Sequence, residues 1–258
     1  MDDILLTDVS DGVAILTLNR PRQMNALSVE LRRRFGEALA ALGADAAVKV
    51  VIITGAGDRA FTAGVDLKEL ETAPLTAGEL GPDGPVNRAF RALGKPTIAA
   101  VNGFAITGGM ELAINCDLLV ASTNARFADT HARVGIVPGW GMSQILPRLI
   151  GPVRARYMSY TGNFVDAATA KDWGLVLDVL PPDQLLPYCR KLAAEIASCD
   201  RATLADIRLA INSGLETTLE AGLALEGRLS KAATQRMDRA RFAATREAVM
   251  SRGKEQSH

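Results

Sequence analysis

Glu111 stands in the first turn of a helix that begins directly after Gly108 and Gly109. The run before it, Pro96-Thr-Ile-Ala-Ala-Val101, is short, apolar and β-branched, as a strand buried on both faces is. Residues 101–117 therefore read as strand, glycine turn, helix. Without a Cβ, the two glycines let the backbone turn tightly and come close to a ligand. A helix N-terminus adds unpaired N–H donors and the positive end of the macrodipole. An oxygen gaining negative charge is stabilised there, and a carboxylate beside it can move a proton. Read alone, the pattern also fits a packing turn followed by an ordinary first-turn acid. Ala63-Gly-Val-Asp66 is a second glycine turn into a helix, where another backbone N–H can face a ligand oxygen; its plain alternative is a turn with Asp66 near the cap. His131 is one of only two histidines, in the loop Asp129 to Gly141, and is either a structural polar group or an acid–base group able to titrate near neutrality. His258, at the terminus, is neither.

At 258 residues the chain can bury a full core as one large domain, or as a large and a small one. Lys plus Arg equals Asp plus Glu at 29 each, which argues against a nucleic-acid or anionic-membrane surface and favours a small or acyl-type substrate. The first residues carry no basic and apolar leader pattern, and no apolar run is long enough to span a bilayer, so the expected location is the cytoplasm. Cys116, Cys189 and Cys199 are odd in number and lack metal-site spacing, which suggests reduced thiols, with Cys116 in the core. A serine-hydrolase elbow, a zinc motif and a P-loop are absent from the sequence. Gly55-Ala-Gly57 follows a strand as a dinucleotide loop does, but the third glycine is missing and another short strand follows.

The elements that must position these groups alternate. Ile4 to Val9 and Val13 to Asn19 read as a strand pair joined by Ser10-Asp-Gly12. Ser28 is an N-cap for a helix whose Leu31, Phe35, Leu39 and Leu42 draw one apolar stripe, with Gly43 placed to end it. Strands follow at Val48 to Thr54 and Ala60 to Gly64. A Gly/Pro/acid-rich loop from Glu71 to Pro85 and a helix around Val86 to Leu93 lead back to the central stretch. After Leu118 to Ala121 and Arg126 to Ala128, a helix, strand, helix succession runs through Ser143–Leu149, Val153–Tyr160, Ala167–Trp173 and Leu175–Leu180. From about Pro182 the chain reads as wholly helical: Gln184–Ser198, Thr203–Asn212, Thr218–Ala232 and Arg239–Arg252. Two short strands and a helix recur, which suits a spiral of ββα units better than an open doubly wound sheet. The expected division is a ββα core over residues 1–195 and a helical region over 196–258.

With these residues in view, the chain resembles the crotonase superfamily, the enoyl-CoA hydratase and isomerase family. The likeness is carried, in order and spacing, by Asn19-Arg-Pro-Arg-Gln-Met-Asn-Ala-Leu27, Arg59-Ala-Phe-Thr-Ala-Gly-Val-Asp-Leu67, Lys95-Pro-Thr-Ile-Ala-Ala-Val-Asn-Gly103, Gly108-Gly-Met-Glu-Leu-Ala113 with Cys116-Asp117, and Gly135-Ile-Val-Pro-Gly139. It implies an α/β fold, a crotonase-like spiral of ββα units with a C-terminal helical trimerisation region. It also implies an acyl-CoA thioester substrate, no cofactor or metal, and a homotrimer or dimer of trimers. By the same resemblance the oxyanion hole falls on the N–H groups of Val65 and Gly108, and the first catalytic glutamate on Glu111. Arg22, Ala63 and Asp66 match the zone that holds the CoA phosphates and adenine.

The sequence departs from the family at the second catalytic glutamate. Counted without a gap from Glu111, that position is His131. Hydration needs one group to activate water for attack on Cβ while an acid delivers a proton to Cα, and a histidine can do either near neutrality. Asp129 is a poorer substitute, because two positions along an extended segment displace it by roughly 6.5 Å. Three readings stay open: a hydratase with Glu111 and His131 as its acid–base pair; another enolate reaction, such as isomerisation, decarboxylation or thioester hydrolysis; and a binder of acyl-CoA without proton transfer. The acyl pocket is expected between the Glu71–Pro85 loop and the helix around Trp140 to Leu146, with Trp140 either narrowing it or simply packing.

Overall fold

The computed structural model describes residues 3–72, 76–79, 81, 84–237, 246 and 250–252. It opens with an antiparallel pair, β1 (Leu5–Ser10) and β2 (Val13–Leu18), followed by α1 (Val29–Ala44). Three turns of two strands plus helix come next. The first is β3 (Val50–Gly55), β4 (Ala60–Thr62), α2 (Leu67–Leu70) and α3 (Pro85–Leu93). The second is β5 (Thr97–Val101), β6 (Phe104–Ile106) and α4 (Gly108–Ile114). The third is β7 (Leu118–Ser122), β8 (Arg126–Ala128) and α5 (His131–Val134), followed by α6 (Met142–Ile150) and α7 (Pro152–Thr161). Then β9 (Val165–Asp166), α8 (Ala167–Asp172), β10 (Asp178–Leu180) and α9 (Pro182–Ala197) complete the body. The first strands of successive turns stack in a six-stranded sheet ordered β1-β2-β3-β5-β7-β10, and the second strands in a four-stranded sheet ordered β4-β6-β8-β9. β3, β5 and β7 run parallel, as do β4, β6 and β8, which is the geometry of a ββα spiral.

The strands alternate between two apolar layers. Val51, Ile53, Ala99 and Val101 face the main core, while Val50, Ile52, Ile98 and Ala100 face the other way. Both faces of the first sheet therefore need cover, which explains the near-continuous apolar runs. Leu185, Cys189, Ala193 and Ala197, spaced by one helical turn each, bring α9 over the second face. Burial in this layer pushes the Cys189 thiol up to about 12, as expected of an inert core thiol. The helical character that begins near Pro182 thus starts with a helix that belongs to the body.

Three local readings are corrected. Gly43 does not end α1, which continues through Ala44 to a cap at Asp45; a Cβ on Gly43 would lie 3.2 Å from the Leu93 backbone, so the glycine allows α1 and α3 to approach closely. Val153 to Tyr160 is not a strand but lies within α7, which Pro152 opens at its first position. The segment after Asp129 is not wholly loop, because His131–Val134 forms a helical turn closed by Gly135 at φ 71°.

The chain divides into two compact units, Met1–Cys199 and Asp200–His258. In the second, α10 (Arg201–Leu215) and α11 (Leu219–Arg236) pack on each other, capped by Asp200 and Thr218 and joined by an Arg236–Asp206 ion pair. Ile207, Ile211, Leu215, Leu219 and Leu223 are left exposed there. Most of the expected helix Arg239–Arg252 lies outside the described residues. Among the described residues, no helix is long and apolar enough to cross a membrane.

Candidate active site

Two glycine turns interlock at the N-terminus of α4. Gly64 has φ 87°, and a Cβ there would sit 2.7 Å from Ile106 O and 3.0 Å from Gly108 N. A Cβ on Gly109 would meet Thr62 O at 2.1 Å, so neither turn tolerates a side chain where they touch. The position of a Cβ on Gly108 lies 3.5 Å from Val65 N, so the amides of Val65 and Gly108 border one small volume. Neither amide donates a hydrogen bond among the described residues. Two unpaired N–H groups bordering one volume can accept a carbonyl oxygen and stabilise it as charge develops.

Glu111 is 2% exposed. Its Oε1 accepts the Trp140 N–H at 2.8 Å and the Met142 N–H at 3.2 Å, while Oε2 faces His131 Nε2 at 3.5 Å. Burial raises its carboxyl above the ordinary carboxylate range, and the pull of His131 and the two amides only partly offsets this. The segment supplying those amides is tied to α4 by Asn115, whose Nδ2 donates to both Glu111 O and Trp140 O at 2.8 Å. The Trp140 indole lies over the turn, with one ring carbon 3.1 Å from the Gly108 Cβ position, and its Nε1–H donates to Glu79 O at 2.9 Å.

His131 is held from its far side. Asp129, fully buried, accepts from His131 Nδ1 at 2.6 Å and from the His131 backbone N–H at 3.2 Å through the same oxygen, Oδ1. Burial opposes ionisation of Asp129, but the hydrogen bonds from His131 help to outweigh it and the carboxyl is held below its ordinary range. An ionised Asp129 calls for the proton on Nδ1, which leaves Nε2 as the nitrogen that faces Glu111. Asp129 is therefore not a displaced stand-in for a second carboxylate; it orients the histidine. The extended geometry expected between the two residues fails at Thr130, whose φ −97° and ψ 11° fold the chain back.

A family model described as enoyl-CoA hydratase/isomerase matches residues 8–252. The chain belongs to the enoyl-CoA hydratase/isomerase family. Crotonyl-CoA hydratase of Syntrophomonas wolfei is 38% identical over 86% of this chain and 86% of that protein. The crystal structure of an enoyl-CoA hydratase from Mycobacterium tuberculosis H37Rv superposes with a TM-score of 0.75 at 44% identity, covering 90% of this chain and all of that one. An enoyl-CoA hydratase from Bacillus anthracis superposes with a TM-score of 0.86 at 34% identity, covering 95% and 97%.

Several other residues of the family motifs make bonds within the scaffold. Asp117 accepts from Thr97 N at 2.8 Å and Thr97 Oγ1 at 2.9 Å, fixing the end of α4 to the start of β5. Asn25, buried at φ 53°, donates to Ala56 O and Ala60 O and braces the loop between β3 and β4. The Asp66 carboxylate pairs with Arg20 at 3.0 Å and caps α2 through Lys68 N. Ala63 is half-buried on the turn, its N–H bonded to Met24 O at 3.0 Å, and Arg22 is exposed in the short helical turn Pro21–Gln23 that precedes Met24. Glu79, in the expected pocket loop, pairs with the buried Arg32 at 2.8 Å. Among the described residues, no group of three or more His, Cys, Asp or Glu side chains is assembled for a metal ion.

Proposed function

We propose that this protein is an enzyme that adds water reversibly to a 2-enoyl-CoA thioester, giving a 3-hydroxyacyl-CoA. The observation that carries the reading is Glu111 Oε2 facing His131 Nε2 at 3.5 Å beside the two unpaired amides. The Val65 and Gly108 N–H groups take the thioester oxygen, which draws electrons from the double bond and makes Cβ electrophilic. Losing one such donor typically costs ~3 kcal/mol of transition-state stabilisation. The Glu111–His131 pair starts with one transferable proton. That proton goes to Cα as the enolate collapses, water adds to Cβ, and the proton released by water restores the pair. Burial raises the Glu111 carboxyl, which favours its holding a proton that it can hand on. The hydratase relatives support hydration over isomerisation, decarboxylation or thioester hydrolysis.

Hydration is redox-neutral, so CoA enters only as part of the substrate and no further cofactor is part of the proposal. Arg22, Ala63 and Asp66 are assigned to the CoA side of the cleft, a reading supported by the place of Ala63 and Asp66 on either side of Gly64 and by the exposure of Arg22 two residues before Met24, which bonds Ala63. The exposed apolar residues of α10 and α11 support a homotrimer or a dimer of trimers built through the second unit. Free cysteines and balanced charge support a cytoplasmic location. Running the reaction with crotonyl-CoA in ¹⁸O-labelled water tests the chemistry. Label on a new C3 hydroxyl with the thioester intact is expected; label in a free carboxylic acid, with CoA released, would overturn hydration in favour of hydrolysis.

A further inference from the structure

Thr107 precedes Gly108 and is the least comfortable residue of the site. At φ 54° and ψ −113° it occupies backbone space that L residues rarely adopt, and β-branching makes the conformation still less favourable. Its neighbours hold it there. The Thr107 N–H donates to Ala128 O at 2.8 Å, and its carbonyl accepts the Glu111 N–H at 2.9 Å. Its hydroxyl is paired with the Thr130 hydroxyl and accepts the Thr130 N–H at 3.2 Å. The ψ of Thr107 sets the plane of the next peptide, whose N–H belongs to Gly108. Thr130 is the cap residue of α5, and His131 is the first residue of that turn. One half-buried hydroxyl therefore ties the oxyanion donor to the segment carrying the histidine.

We infer that Thr107 is a positioning residue: its hydroxyl, paired with Thr130, locks the peptide presenting the Gly108 N–H in register with the turn that carries His131. The inference rests on the reading of this site as an oxyanion hole beside an acid–base pair. Strain maintained at such a point persists only where surrounding groups over-determine it, and here they are the groups that must stay aligned. Glycine adopts this backbone freely but leaves it unlocked, and valine keeps the shape without the hydroxyl.

The test compares the wild type with Thr107→Ser, Thr107→Val and Thr107→Gly in the full-length chain. Three readouts are used: kcat and KM for crotonyl-CoA, the melting temperature, and the red shift of a bound 3-arylacryloyl-CoA, whose absorbance moves to longer wavelength as its carbonyl is polarised. The Val and Gly variants are expected to lose about tenfold or more in kcat with little change in KM. They should also show a smaller red shift, with Ser restoring most of both. Thr107→Gly should melt no lower than the wild type, because it relieves the strained backbone. Unchanged kcat and red shift in both Val and Gly, or a change in melting temperature alone, would overturn the positioning role. A wild type that polarises the probe without hydrating crotonyl-CoA would defeat the hydratase reading, while the spectral comparison would still decide Thr107. A wild type that does not polarise the probe would overturn the inference.

Discussion

At the scale of single residues, the site combines one buried carboxyl whose ionisation burial opposes and one histidine held in one orientation by Asp129. Glu111→Gln retains an oxygen for the Trp140 and Met142 amides but cannot exchange a proton. Turnover should fall by about 10²–10⁴-fold while CoA-thioester binding survives, measured as kcat and as ligand affinity on the same preparation. The same variant should be the more stable protein at neutral pH. The folded carboxyl of Glu111 lies above its unfolded value, so its relative stabilisation is full below the unfolded value, near 4.5, and is lost as pH rises through the folded one. Melting curves should therefore show a higher Tm for Glu111→Gln at pH 7, with the gap closing toward pH 4; a lower Tm at pH 7 would contradict the assignment. Asp129 has the opposite sign. Its folded carboxyl lies below the ordinary value of 3.8, so its stabilising contribution is present above that value and is lost as pH falls through the folded one. Asp129→Asn should leave the cleft intact but release the Nδ1 proton from its fixed site, cutting kcat by about tenfold or more with KM nearly unchanged. An equal effect on both parameters would point to a general loss of structure.

At the scale of elements, the sequence was readable wherever burial is periodic. The α1 stripe of Leu31, Phe35, Leu39 and Leu42 and the Ser28 cap appear in the structure as expected, as does the doubly buried strand ending at Val101. Gly43 misled because a glycine that permits close helix packing looks, in one dimension, like one that ends a helix. Glu111 and His131, singled out by residue type, are brought face to face by the structure. The role of Asp129 was not legible, since it depends on the bend at Thr130, which no residue type announces. Trp140 and Met142 contribute backbone N–H groups, which carry no side-chain signature at all. The glycine turns make the sharpest prediction at this scale. Gly109→Ala forces a Cβ to 2.1 Å from Thr62 O, and should cost about 3 kcal/mol in urea denaturation, at the upper end for overpacking, and abolish turnover.

At the scale of the whole molecule, the first unit carries its own two-sided core, while α10 and α11 of the second leave Ile207, Ile211, Leu215, Leu219 and Leu223 exposed. The proposed homotrimer or dimer of trimers predicts that replacing Leu219 and Leu223 together by Asp shifts the sedimentation profile toward monomer; an unchanged profile would contradict assembly through these residues. The measurement that bears most directly on the central claim is loss of the conjugated enoyl-thioester absorbance with crotonyl-CoA, for the wild type and His131→Gln across neutral pH. The account predicts rapid loss in the wild type and a fall of about 10²-fold or more in the variant, with crotonyl-CoA still bound. Equal rates would contradict the Glu111–His131 pair, and tight binding without turnover in the wild type would contradict hydration itself.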